Sequence, residues 1–188
     1  MIQDYFRSFN IFSDHEITDL IQNFTPREIR KSGYFVKEGD RCKEIAFIQT
    51  GTFRSYYTSD DGTENTFCFR FPNNLLAPYS AFITGDPSVE TMQAITDSKL
   101  WVIQKREVDH LINKNMNWTK LLKLNAEHEY LELEKRFFQL QKDNATERYV
   151  SLLQNHPQYV LEIPLQYLAS YLGITQRHLS RIRKQFSF

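Results

Sequence analysis

Polar and basic side chains recur on one predicted helix face near the end of the sequence. In the stretch TQRHLSRIRK, the residues that point away from the apolar side are Gln176, Arg177, Ser180, Arg181 and Lys184. Arginine can donate two hydrogen bonds to guanine O6 and N7, glutamine can pair with adenine N6 and N7, and serine is short enough to avoid clashing with a nucleic-acid backbone. With Thr175 as N-cap, this spacing predicts a helix whose outer face fits the major groove of DNA.

The preceding segment would position that helix. Pro164 suits the first turn of a helix, and the apolar residues after it recur at helical spacing. These predicted buried residues are Leu165, Leu168, Ala169 and Leu172. Gly173 then stands where a tight turn between two helices requires positive φ, and Leu179 and Ile182 would face inward from the second helix. The pattern predicts a helix-turn-helix, and a purely structural helical hairpin is the alternative.

The charge of the chain is balanced overall but not along its length. Lysine and arginine together number 23, as do aspartate and glutamate, so the formal net charge is zero. Residues 144–188, however, carry five basic residues against two acidic ones, and the last fourteen residues contain no acid. Because binding to DNA phosphates requires clustered Lys and Arg, a nucleic-acid partner is predicted only for the C-terminal region.

The region from about Glu28 to Ile103 consists of short β-rich runs separated by glycine turns. Asp60, Asp61 and Gly62 lie between two such runs, and Asp-Gly is a strong hairpin signal. Short helices precede this region, with Ser13 and Asp14 as candidate N-caps. Cys42 and Cys68 lack metal-ligand spacing and are expected to be packing thiols. The sequence predicts an antiparallel all-β domain preceded by helices.

Helical periodicity follows Gln104 and continues to Gln141, with Asn117 as a candidate cap for the long final segment. That helix carries two apolar rows. One comprises Trp118, Leu122, Ala126, Tyr130, Leu133, Phe137 and Leu140, and the other comprises Leu121, Leu124, Leu131 and Phe138. One row would suffice to pack on the β domain, so the second predicts a homodimer around this helix. A single wide intramolecular face is the alternative.

These elements predict an α+β fold with three parts: a β-roll domain over 1–116, a connecting helix over 117–142 and a helix-turn-helix domain over 143–188. No run approaches the roughly 18 to 20 apolar residues that cross a bilayer, and the N-terminus does not have the pattern of a signal peptide. We therefore expect a cytoplasmic protein with no membrane partner.

The whole pattern resembles the Crp/Fnr superfamily over nearly the entire chain. The resemblance is carried by the roll with Gly33, Gly39, Gly51 and Gly62, the long helix, and the sequence LASYLGITQRHLSRIRK. It implies a cyclic-nucleotide-binding-like roll, dimerisation through the long helix, and binding of double-stranded DNA by the second helix of the helix-turn-helix.

The sequence departs from the cyclic-AMP-responsive members of that family. Aligned on Ala94, their Gly-Glu pair falls on Ala77 and Pro78, and their phosphate-binding arginine falls on Ser88. A cyclic phosphate needs a cation and backbone N–H donors, and proline has no N–H. We expect no response to cyclic AMP, while the same segment keeps a candidate pocket for an unidentified small-molecule effector. Its residues are Ala77, Pro78, Tyr79, Phe82, Ser88 and Val89.

Two further departures concern the ends of the sequence. It stops at Phe188, where family members usually continue into a β-wing, which predicts fewer phosphate contacts and weaker binding. It also lacks an N-terminal cysteine cluster of the kind that holds an iron–sulfur centre. We expect no cofactor.

An enzyme is the first rival interpretation. Metal-dependent β-rolls of the cupin type need two or three strand histidines, yet all five histidines lie outside residues 28–104. No motif for nucleophilic catalysis or for phosphate-binding loops is present, so neither catalysis nor a metal is expected. The second rival is a ligand-binding or interaction module whose helix-turn-helix no longer binds specific DNA.

Overall fold

The computed structural model describes residues 2–186. It confirms the predicted α+β class: helices come first, eight strands follow with one short helix among them, and the rest of the chain is helical. The helices are α1 Ile2–Ser8, α2 Asp14–Ile21, α3 Tyr79–Thr84, α4 Lys105–Lys114, α5 Met116–Lys142, α6 Ala145–Asn155, α7 Pro157–Glu162, α8 Leu165–Tyr171 and α9 Gln176–Phe186. The strands are β1 Thr25–Ile29, β2 Tyr34–Val36, β3 Glu44–Thr50, β4 Phe53–Thr58, β5 Glu64–Arg70, β6 Leu75–Leu76, β7 Thr91–Ala94 and β8 Ser98–Gln104.

The strands form two four-stranded sheets. One has the order β1-β8-β3-β6, and the other has the order β2-β7-β4-β5, which leaves β5 at an edge. The pairings of β8 with β1 and with β3 are antiparallel, as predicted for a roll. Gly51 lies between β3 and β4 at φ 95°, and a Cβ there would approach Ser98 Oγ to 2.1 Å, so the turn requires glycine.

Contacts divide the chain into two compact units that are not contiguous in sequence. The first unit contains the residues up to Ser55 together with Phe69–Ala126. The second contains Tyr56–Cys68, which we call the hairpin segment, together with the residues from Glu127 onward. The hairpin segment includes the predicted Asp-Gly turn. Gly62 there has φ 82° and donates its N–H to Ser59 O at 2.8 Å, which confirms the hairpin prediction.

In the first unit, β3 is buried on both sides, which explains its unbroken apolar run. Ala46 and Ile48 pack in the interior of the roll with Phe53 and Leu100. Ile45 and Phe47 face a second core formed with the N-terminal helices, α4 and the beginning of α5. The members of this N-terminal core are Ile2, Phe6, Ile17, Leu20, Phe24, Ile45, Phe47, Phe82, Ile103, Val108, Trp118 and Leu121.

A carboxylate connects the N-terminal helices to the start of α5. Glu16 closes a capping box with Ser13, the predicted N-cap, and accepts hydrogen bonds from the side-chain amides of Asn115 and Asn117. Asn115 Oδ1 in turn accepts the N–H of Asn117 at 2.8 Å. Asn115, rather than the predicted Asn117, therefore caps α5, because the helix begins at Met116, two residues before Trp118.

The hydrogen bonds from Ser13 and the two asparagines hold the pKa of Glu16 at about 2. A carboxylate whose pKa is lowered on folding stabilises the protein above its unfolded pKa, and that stabilisation is lost as the pH falls toward the folded value. Because Glu16 is only partly buried, we expect Glu16→Gln to lower the free energy of unfolding of the first unit by about 1 kcal/mol at pH 7. Thermal unfolding monitored between pH 7 and pH 2 should show this difference shrinking as the pH falls below about 4.5.

Glu28→Gln is the matched control. Glu28 makes an exposed ion pair with Lys99 at 3.7 Å, so its replacement should change stability little at any pH. If the difference in stability between Glu16→Gln and the wild type does not change with pH, the charge of Glu16 contributes nothing to stability.

Candidate nucleic-acid interface

The predicted helix-turn-helix is present as α8, a tight turn and α9. Gly173 takes φ 67°, as predicted, and donates its N–H to Ser170 O at 3.0 Å. The N–H of Ile174 reaches back to Ala169 O, also at 3.0 Å. This pair of bonds is a Schellman motif, which ends α8 and satisfies two of its last carbonyl groups.

The core of this motif confirms the predicted inward faces of both helices. The buried side chains are Leu168 and Ala169 of α8, its C-cap Leu172, and Leu179 and Ile182 of α9, while Leu165 is half-buried. Pro164 stands one position earlier than predicted, as the N-cap of α8. Thr175 caps α9, since its hydroxyl accepts the N–H of His178 at 3.2 Å.

The outer face of α9 carries the candidate DNA-binding residues. Gln176, Arg177, Arg181 and Lys184 are exposed, Ser180 is half-buried, and Thr175 is exposed at the start of the helix. A depression of 320 Å³ lies beside this face. Its lining residues are Thr146, Thr175, Arg177, His178, Arg181, Ile182 and Gln185. Thr146 belongs to the first turn of α6 and was not singled out in the sequence, because nothing local indicates which helix approaches α9.

Two arginines from other helices hold the end of α8. Arg148 of α6 donates from Nε and Nη2 to Leu172 O at 3.2 and 3.0 Å. Arg136 of α5 donates to Tyr171 O, and its guanidinium lies 3.6 Å from the centre of the Tyr171 ring. Burial raises the pKa of Tyr171 despite the nearby arginine. The carbonyl groups that an α-helix leaves without partners are thus bonded to cations, which also suit the negative end of the helix dipole.

The apolar rows of α5 differ in exposure along the helix. Trp118 and Leu121 are buried in the N-terminal core, so the assignment of Leu121 to a subunit interface is wrong: the N-terminal helices fold back over it. The other predicted interface residues, Leu124, Leu131 and Phe138, are exposed. Beyond Ala126, large apolar side chains of both rows face outward, namely Tyr130, Leu131, Leu133, Phe137, Phe138 and Leu140.

The candidate ligand residues of the roll do not form a common lining. Phe82 is buried in the N-terminal core and Ala77 packs against it, whereas Val89 is 70% exposed. Pro78 is buried as the N-cap of α3, and Tyr79, half-buried, begins that helix. Ser88 is buried, and its hydroxyl donates to Glu90 O at 2.7 Å and accepts the Glu90 N–H at 3.2 Å. The residues do not share one environment, because Tyr79 begins a short helix whereas Ser88 and Val89 lie in the loop that follows it.

The sequence did not indicate that one cation of the roll is buried. Arg54 of β4 is only 3% exposed, and its Nε and Nη2 donate to Gln93 Oε1 of β7 at 3.0 and 2.7 Å. Successive side chains of a strand point to opposite faces, so the sequence places Arg54 opposite Phe53 and does not distinguish it from an exposed arginine. Within residues 2–186, no group of three or more His, Cys, Asp or Glu is placed to hold a metal ion, and no helix there is long and apolar enough to cross a membrane.

Comparison with known proteins agrees with this architecture. A model of the cyclic nucleotide-binding domain family matches residues 26–115. The regulatory protein HlyX of Actinobacillus pleuropneumoniae is 26% identical over 187 residues, covering 93% of this chain and 77% of HlyX.

Solved structures show the same fold. FixK2 from Bradyrhizobium japonicum superposes with a TM-score of 0.78 at 20% identity, covering 86% of this chain and 83% of FixK2. A regulator of the Crp/Fnr family from Eubacterium rectale superposes with a TM-score of 0.74 at 17% identity, covering 97% of this chain and 87% of that protein. The roll, the long helix, the helix-turn-helix and these matches together place the chain in the Crp/Fnr family of DNA-binding transcription regulators.

Proposed function

We propose that the chain binds double-stranded DNA sequence-specifically as a homodimer, through α9, and that it does so without cyclic AMP. The observation that carries this proposal is the outer face of α9. It exposes Gln176, Arg177, Arg181 and Lys184 after a capped start, and the sequence contains no acidic residue beyond Glu162. In this scheme the roll is a sensor domain, α5 joins the subunits and the helix-turn-helix reads DNA.

The positions on α9 suggest different roles for its side chains. Gln176, Arg177 and Arg181 lie in the first two turns, which is where recognition helices contact base edges. The Thr175 hydroxyl and the first N–H groups of α9 lie at the positive end of the helix, which favours a phosphate. Lys184 lies in the last turn and would contact the DNA backbone. Ser180 is half-buried, so it leaves room for the DNA to approach α9.

The exposed apolar side chains of α5 support a homodimer. Leu124, Leu131 and Phe138 recur at intervals of seven residues, and Leu133 and Leu140 repeat the same interval on the neighbouring row. A seven-residue apolar repeat is the pattern that packs two helices against each other in a coiled coil. A second copy would cover both rows and place two α9 helices about one duplex turn apart, roughly 34 Å, for a palindromic site.

The segment that binds cyclic phosphate in responsive family members has no matching chemistry here. Ser88 stands at the arginine position, and its hydroxyl is already bonded within its own loop to Glu90. The buried Glu90 side chain adds a carboxylate near that position, and Pro78 has no N–H to donate. An anionic ligand would therefore meet a carboxylate where it needs a cation.

Selection from a random duplex pool at moderate salt, with and without cyclic AMP, tests the proposal. We expect a palindromic motif with half-sites about ten base pairs apart, in equal yield under both conditions. Enrichment that depends on cyclic AMP would contradict our interpretation of Pro78 and Ser88. Recovery of no motif, with only salt-dependent binding, would favour an interaction module instead.

Arg181→Ala should weaken binding to the selected site by about 1 to 3 kcal/mol and relax base preference at one position of each half-site, because a bidentate contact to guanine is lost. Fluorescence anisotropy with a set of single-base variants of the site measures both effects. Arg30→Ala, which removes an exposed arginine of the roll paired with Asp97, is the matched control and should bind like the wild type. An unchanged base preference in Arg181→Ala would exclude this residue from readout.

Leu131→Asp should convert the dimer to a monomer, because a carboxylate would be buried at the proposed helix interface. Leu131 is 59% exposed in the single chain, so the substitution should not disturb its folding. Light scattering measures the molar mass. Leu161→Asp makes the same change at a residue of α7 that is 83% exposed and should stay dimeric. A Leu131→Asp variant that remains dimeric would move the interface elsewhere.

A further inference from the structure

Ser170 of α8 contacts the hairpin segment through its hydroxyl group. The Oγ atom donates to Glu64 O at 2.9 Å and accepts the N–H of Thr66 at 2.9 Å. Both partners are backbone groups of β5, and both belong to the second compact unit together with α8. One side chain therefore connects the first helix of the helix-turn-helix to a strand more than 100 residues away in sequence.

The position of β5 explains why these two backbone groups are open to a side chain. β5 is the last strand in the order β2-β7-β4-β5, so one side of it has no neighbouring strand. The carbonyl of one residue and the N–H of the residue two positions later point to the same side of a strand, where a partner strand would bond both. The Ser170 hydroxyl, which can donate and accept at once, bonds both groups in place of that strand.

The two residues that follow Ser170 are held by arginines of two other helices. Arg136 of α5 bonds Tyr171 O, and Arg148 of α6 bonds Leu172 O. Ser170, Tyr171 and Leu172 are thus fixed by three elements immediately before the turn at Gly173. The exposed face of α9 remains open while all these contacts are formed, so they do not compete with DNA for the same side chains.

We propose that Ser170 is a positioning residue for DNA binding: by bonding the open edge of β5, it fixes the orientation of α8 on the hairpin segment, and thereby the direction in which α9 is presented. The proposal rests on the DNA-binding function proposed above. It adds that the hairpin segment is a structural part of the DNA-binding unit.

Ser170→Ala removes both hydrogen bonds and favours the helix, so α8 should still form. We expect the Thr66 amide to exchange with solvent at least about tenfold faster, as measured by NMR on the full chain. We also expect affinity for the selected site to fall about three- to tenfold, with salt-dependent binding to random DNA unchanged, because the basic face is intact and only its orientation is less restricted.

Ser170→Thr, which keeps the hydroxyl, should restore both the protection of the Thr66 amide and the affinity. Ser151→Ala is the matched control: it removes a serine hydroxyl of α6 that bonds Gln139 of α5 at 3.1 Å and does not touch the hairpin segment. It should leave Thr66 exchange and site affinity within about twofold of the wild type.

Unchanged Thr66 exchange in Ser170→Ala would overturn the proposal, because it would mean that the contact does not form in solution. Tighter binding to the selected site would also overturn it, by showing that the contact holds an unproductive orientation. If the wild-type chain selects no DNA sequence, the proposed function fails on its own, and the exchange measurement still decides whether Ser170 holds the hairpin segment.

Discussion

The last turn of α8 imposes the constraint on which the second compact unit depends. A helix ends with carbonyl groups that have no partner within the helix, and here that end lies inside the unit. The Schellman bonds at Gly173 satisfy two of these groups, and guanidinium groups from two separate helices bond those of Tyr171 and Leu172. Satisfying these carbonyls fixes where α5, α6 and α8 lie relative to each other. The direction of α9 follows, because only one tight turn separates it from α8.

Local chemistry made the helix-turn-helix predictable from sequence. Gly173, the Thr175 cap and the apolar spacing of Leu168, Leu172 and Leu179 act over a few residues, and each has the predicted conformation or burial. The short β-rich runs of the roll and the Asp-Gly hairpin were predictable for the same reason. The family resemblance added the arrangement of these parts.

Long-range packing accounts for what the sequence did not reveal. Leu121 and Leu131 belong to the same apolar row of α5, but the N-terminal helices cover Leu121, whereas Leu131 is exposed. The candidate ligand residues are neighbours in sequence, yet Phe82 enters the N-terminal core and Val89 faces solvent. Arg54 and Ser170 have roles that depend on partners far along the chain, on β7 and β5, and no periodicity encodes such partners.

The hairpin segment makes the two compact units interleaved in sequence, since a strand and turn of the roll belong to the same unit as the C-terminal helices. Cutting the chain near residue 143 to obtain a minimal DNA-binding fragment would therefore discard the strand that Ser170 bonds. Exchanging rolls between relatives would likewise replace the edge on which α8 rests, even if every residue of the helix-turn-helix were kept. Recombination that exchanges rolls as linear segments is thus constrained at a position far from the linker, because position 170 must keep a side chain that can bond the backbone of the incoming β5.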